Sequence, residues 1–188
     1  FKNLINKGIE NIILEASSHG LQQNRLDDLK FNTSIFTNFS RDHLDYHKSY
    51  KNYLNAKLIL FRKLTKKGGL VISDKSINET TILKKISRKN KLKTIFLGKN
   101  ADLEILDIDK FKDLQLIKFK FKNKVYTFTT KLIGKTQIIN LLMAVLAASK
   151  LINISKIVTK LKYIVPINGR FENIGKIYNN SKVILDYS

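Results

Sequence analysis

The chain contains no cysteine. Disulfides, thiolate-bound zinc and iron–sulfur clusters are therefore excluded, and the composition fits a cytoplasmic protein. No apolar run approaches the roughly 18–20 residues that a membrane-crossing helix needs, so no membrane partner is expected. The opening "FKNLINKGIENIILEASS" has neither the apolar segment nor the small-residue cleavage site of a secretory leader. It also lacks an initiator methionine and runs straight into a strand-like segment, so we expect a piece of a longer protein. Acidic residues are scarce, 15 against 35 lysines and arginines, for a formal charge of +20. Such a balance can displace counterions from nucleic-acid phosphates. Here, however, lysine dominates and the charges are scattered, apart from "LKKISRKNKLK" at 83–93. Nucleic-acid sites usually combine arginine forks with aromatic platforms. The charge is read as compositional, able to help hold anionic substrates, and no nucleic-acid partner is expected.

Against these absences stand 188 residues, 43% of them hydrophobic, enough for one α/β domain with a piece of another. "IENIILEASS" (9–18) reads as a buried strand and "TSIFTNFS" (33–40) as a second. Residues 49–64 have helical spacing, Gly68-Gly69 marks a turn, and "LVISD" (70–74) is a strand. A helix over 79–91 and a strand over 93–98 follow. This alternation predicts an α/β fold, a mainly parallel sheet flanked by helices. Residues 101–134 instead alternate with period two, predicting a small antiparallel sheet with a turn at Asn123-Lys124. A nearly all-apolar helix spans 136–151, and a second helix over 154–164 stops before the only proline, Pro166. The remainder reads as a hairpin followed by a strand.

The segment "TNFSRDHLDYHKSYKNYLNAKLILF" (37–61) crowds Asp42, His43, Asp45 and His47 together, then sets Lys57 on the apolar stripe of a helix. A buried ammonium is costly, so Lys57 either snorkels to the helix edge or is paired, neutralised or modified. Glu15 and His19 close the other strand, and parallel strands can aim such residues into one crevice. A carboxylate and an imidazole suit Mg²⁺ only with further oxygen ligands. A neutral lysine amine can add CO₂ to become an anionic carbamate and supply one. The alternative is that these His and Asp are turn and cap residues.

The block "EASSHGLQQNRLDDLKFNTSIFTNFSRDHLDYHKSYKNYLNAK" strongly resembles the central domain of the Mur ligases, in the branch of the UDP-N-acetylmuramoyl-tripeptide synthetases. Weaker marks continue in "LIGKTQIINLLMA", "NGRFE" and "VILDYS". The resemblance implies a P-loop NTPase-like central domain over 1–166, with 167–188 opening the next domain. It implies an ATP- and Mg²⁺-dependent ligase that activates the D-Glu carboxylate of UDP-N-acetylmuramoyl-L-Ala-D-Glu as an acyl phosphate for attack by a diamino acid. A monomer is expected. By motif, Glu15, His43 and Lys57 as a carbamate match metal ligands, and Lys57 and His43 the catalytic positions. Ser17, Gln23 and Arg25 match substrate contacts, and Asn140, Arg170 and Asp186 nucleotide contacts.

There are departures. Gln137 stands where the family has an earlier asparagine, and "DYS" where it has a longer motif. No G-x-x-G-K-[ST] phosphate loop occurs, since "LIGKT" (132–136) lacks the upstream glycine. The 188-residue chain alone is therefore expected to be inactive. Other readings are another Mur ligase, a folylpolyglutamate synthetase-like ligase, a basic nucleic-acid-binding domain, or a non-catalytic relative. Both meso-diaminopimelate and L-lysine stay open as the amino acid added.

Overall fold

The computed structural model describes residues 2–111, 114–170 and 172–187. A short helix α1 (Lys2–Asn6) and a five-residue helix α2 (Ser18–Gln22) precede β1 (Phe31–Phe36). Then come α3 (Leu44–His47), α4 (Tyr50–Ile59), β2 (Thr65–Asp74), α5 (Thr80–Lys89) and β3 (Lys93–Leu97). The strands β4 (Leu103–Phe111), β5 (Leu114–Phe121) and β6 (Lys124–Thr130) follow. Helices α6 (Lys135–Ala148) and α7 (Ile154–Val158) lead to the hairpin β7 (Glu172–Lys176) and β8 (Lys182–Leu185).

One six-stranded sheet runs in the order β1 to β6, with β1 to β4 paired in parallel and β4 to β6 antiparallel. The meander joins the parallel strands through the Leu97–Leu103 pair. The hairpin β7–β8 forms a separate two-stranded antiparallel sheet. Period-two alternation splits the core between the two faces of the sheet. Leu70 and Ile72 of β2 pack under α6 with Leu142 and Met143, while Val71 packs with Leu58, Phe61 and Leu83 of the α4–α5 side. In β5, Ile117, Phe119 and Phe121 are buried while Lys118 and Lys120 are exposed, the pattern of a strand covered on one face.

Helix α4 continues as a π-helical turn, Leu60–Leu64, which puts Phe61 and Leu64 into the core. Thr65 Oγ1 donates to the Leu60 carbonyl at 2.8 Å, and Asn90 Nδ2 donates to the carbonyls of Phe61 and Arg62. The Leu60 carbonyl also accepts from the Thr65 amide, and together these bonds tie down the end of the helix. Instead of a turn at Gly68-Gly69, β2 carries a bulge, and a side chain at Gly69 would meet the Lys66 carbonyl at 2.7 Å.

Four further sequence expectations are corrected. Residues 9–17 form no strand, and Ile13 is 97% exposed: an apolar run is a strand only where a neighbour pairs its backbone, and none does among the described residues. The hairpin turn sits at Lys122-Asn123, both left-handed, because Phe121 pairs with Lys124. The helix expected over 154–164 ends at Val158 and resumes as a 3₁₀ turn, Leu161–Tyr163. The chain after Pro166 makes one hairpin, without a further strand among the described residues. Phe171 of the "GRFE" motif and Ser188 of "DYS" lie outside the described residues. No helix among the described residues is long and apolar enough to cross a membrane.

Candidate functional site

The segment around α2, the loop that leaves the carboxyl end of β1 and the following helix α4 carry most of the residues of interest, and the carboxyl edge is where open parallel sheets place their sites. Ser17 caps α2, its Oγ accepting from the Gly20 amide at 3.1 Å. The next residue, Ser18, is buried and shares a 2.9 Å hydrogen bond with His47 Nε2. That bond fastens the "SSH" segment to the loop after β1. Gln23 adds a second tie, donating to the Tyr46 hydroxyl at 3.0 Å. His19 lies 4.9 Å from the His43 ring and 5.2 Å from the His47 ring, so all three histidines of the chain converge. Arg25 is exposed close behind α2, its amide bonded to the Gly20 carbonyl.

His47 is only 2% exposed, and its Nδ1 has no partner among the described residues. Burial pushes its pKa below 6.5, helped by His19 and His43 and opposed by Asp45. The neutral ring is thus the native form, with Nε2–H donating to Ser18 the cheaper tautomer, because an orphan lone pair costs less than an orphan N–H. A histidine held neutral in the fold takes up its proton first in the unfolded chain. Stability is therefore fully present above about pH 6.5 and falls as pH drops below it. The urea midpoint should fall between about pH 7.5 and about pH 5.5, and fall less in His47→Gln. Equal falls in both proteins would remove His47 from this role.

His43 opens α3 in the left-handed region, at φ 53°, and Lys48 closes it likewise at φ 63°. Asp42 holds this bend: its Oδ1 accepts from the His43 amide at 2.8 Å, and its Oδ2 lies 3.3 Å from His43 Nε2. Left-handed non-glycine residues cost of order 1–3 kcal/mol each and cluster at functional sites.

Lys57 does not snorkel freely. Its Nζ donates to the Asn38 carbonyl at 3.1 Å and lies 5.2–5.9 Å from the rings of Tyr53, Phe36 and Phe39. Burial lowers its pKa, with Asp42 opposing. The ring faces and the Asn38 carbonyl also favour the cation and offset part of that push. Tyr53 also stands 5.8 Å from the His43 ring, so Lys57 and His43 flank one aromatic side chain.

Beyond the ends of β1 and β2 lies a cleft of about 290 Å³, with Asn38 and Phe39 on one side, Asp74 and Glu79 on another, and Thr136 and Asn140 of α6 facing them. Arg170 and Asp186 sit elsewhere, on the terminal hairpin. There Arg170 donates to the Tyr187 carbonyl, and Tyr187 donates its amide to Gly169 at 2.8 Å, so the "GRFE" and "DYS" motifs adjoin. Glu15 is exposed and makes no hydrogen bond or ion pair among the described residues.

Residues 1–148 match the Mur ligase middle domain. The chain belongs to the Mur ligase family. This Mur ligase chain is 40% identical over 187 residues to the UDP-N-acetylmuramoyl-L-alanyl-D-glutamate–2,6-diaminopimelate ligase of Rickettsia montanensis, covering 99% of this chain and 38% of that protein. It therefore spans well under half of that relative's length. A solved ligase of the same name matches with a TM-score of 0.77 at 25% identity, over 87% of this chain and 34% of the other. The MurF ligase of Thermotoga maritima, solved with ADP, matches with a TM-score of 0.68 over 86% of this chain and 36% of its own, and at 14% identity it shows the fold alone.

Among the described residues, no group of three or more His, Cys, Asp or Glu converges as a metal cage. Glu15 is unengaged, His43 faces Asp42, and Lys57 is a cation on a carbonyl. As they stand these residues do not fit Mg²⁺, which wants near-octahedral oxygen ligation. The Ser18–His47 and Tyr50–Glu79 pairs are not legible in the sequence, since each joins residues 29 positions apart.

Proposed function

We propose that this chain is the central part of an ATP-dependent ligase that joins 2,6-diaminopimelate to UDP-N-acetylmuramoyl-L-alanyl-D-glutamate, in the bacterial cytoplasm, as a monomer making peptidoglycan precursor. Identity of 40% to a relative of that name, over 99% of this chain, carries the reading. The relative's name also favours diaminopimelate over lysine. Residues 1–166 are assigned to the central domain and 167–188 to the start of the next.

The substrate's D-Glu carboxylate takes the γ-phosphoryl group of ATP, releasing ADP. The diamino acid's amine then attacks the acyl carbon, the carbon–oxygen bond to phosphate breaks, and the amine loses a proton. Phosphorylation is needed because a carboxylate is a poor electrophile. Ser17, Gln23 and Arg25 are assigned to the muramoyl-dipeptide, Arg25 offering a fork suited to carboxylate or phosphate. Asn140 is assigned to the adenine, and Arg170 and Asp186 to the remainder of the nucleotide once the hairpin meets it.

Lys57 is assigned as a carbamate: its neutral amine adds CO₂ and releases a proton. The lowered Lys57 pKa supports this, because burial enlarges the neutral fraction that reacts. The product would carry an anionic oxygen on α4, the ligand type that Mg²⁺ takes. His43 is assigned to hold that end of the site.

The protein containing this chain, given ATP, muramoyl-dipeptide and diaminopimelate, should form the UDP-tripeptide, seen by mass spectrometry. Activity on a folate instead would support the folylpolyglutamate reading. Asn140→Ala should raise KM for ATP about tenfold, the loss of one or two hydrogen bonds. An unchanged KM would remove Asn140 from the base.

A further inference from the structure

A chain with 35 lysines and arginines surrounds a cleft whose lining, among the described residues, holds no lysine, arginine or histidine. Its charged groups are instead two carboxylates, Asp74 and Glu79, at 6% and 9% exposure. Asp74 Oδ1 accepts from the Ser76 amide at 2.8 Å, a bond within its own loop. Glu79 Oε1 accepts from the Tyr50 hydroxyl at 2.9 Å, which joins the start of α5 to α4 across the cleft. Tyr50 remains a donor, its pKa raised by desolvation and then by Glu79.

A carboxylate offers about four lone-pair sites, so a single tyrosine bond leaves Glu79 with acceptors to spare. Such a lining repels phosphates and suits an uncharged group that presents N–H donors. Adenine carries an amino group beside ring-nitrogen acceptors, whereas guanine carries an oxo acceptor at the same carbon. The Asn140 amide, on the facing helix, can donate to a ring nitrogen while a carboxylate accepts from the amine.

We propose that Glu79, positioned by Tyr50, selects adenine by accepting a hydrogen bond from its exocyclic amine. The inference rests on the reading that the cleft beside Asn140 takes the nucleotide base. A site built to bond an N–H rejects the analogue that lacks it, because the buried acceptor is then left unpaired.

The test compares ATP with purine riboside triphosphate, which lacks only the amine, and with GTP, in the protein containing this chain. The wild type should prefer ATP over the amine-free analogue by about tenfold or more in kcat/KM. Glu79→Gln keeps the size of the side chain and an acceptor for Tyr50. It should shrink both that preference and the preference over GTP. Wild-type indifference to the amine would overturn the proposal without any variant. So would an unchanged preference in Glu79→Gln, an equal loss with every nucleotide, or a change confined to the KM of the diamino acid. A wild type without ATP-dependent ligation would instead sink the function on which the proposal rests.

Discussion

Lys57→Ala is expected to lower turnover of the protein containing this chain by about 10²–10³-fold, the cost of losing one group aimed at developing charge. The expectation follows from where the amine sits. It is half-buried, faces three aromatic rings, holds one backbone carbonyl and shares Tyr53 with His43. Burial disfavours its charge there, as suits a lysine that works through its neutral amine. Removing it should shift folding stability by no more than about 2 kcal/mol, the scale of a partly desolvated cation–π contact. Short carboxylic acids added to Lys57→Ala should restore part of the activity, because they supply the missing anion. A variant that ligates at the wild-type rate would return Lys57 to a packing role.

Phe61→Ala carries the largest expected cost to the fold. Phe61 is 1% exposed in the π-helical turn after α4, and its ring meets Phe36 edge-on at 5.8 Å. Truncating a buried phenylalanine costs about 3–5 kcal/mol, against a total stability of about 5–15 kcal/mol for a domain. The urea midpoint should fall accordingly with an unchanged slope. Because Phe36 also faces Lys57, the same cavity should loosen the lysine's surroundings. A loss below about 1 kcal/mol would mean that this core collapses around the gap.

Much of the architecture was legible because it rests on periodicity. The alternation of β5, the apolar helix α6 and the strand–helix–strand order of β1 to β3 follow from apolar spacing that reports burial. The failures have one physical root: they depend on partners distant in sequence. "IENIIL" reads as a buried strand, yet nothing among the described residues pairs its backbone. The helix after Asn153 stops early although its sequence continues, and the turn before Lys124 moved by one residue to satisfy strand register.

The same division holds for the candidate site. Lys57 stood out as a charge on an apolar stripe, and His43 as part of a crowded loop; the structure brings both to Tyr53. Glu15 and the hairpin pair Arg170 and Asp186 were named by motif, and no cage of acidic and histidine ligands joins them among the described residues. Ser18, Tyr50 and Glu79 carry no local signal, since a serine at a helix start or a glutamate after a loop is ordinary in any sequence. Only the fold reveals that His47 clamps one and Tyr50 aims another.

Central to this picture is the proposed conversion of Lys57 from cation to anion. Carbon-13 NMR of the protein equilibrated with ¹³C-labelled bicarbonate measures it directly. A carbamate resonance in the wild type that is missing from Lys57→Ala is the predicted result. Spectra of wild type and variant that agree, with no carbamate signal in either, would contradict it.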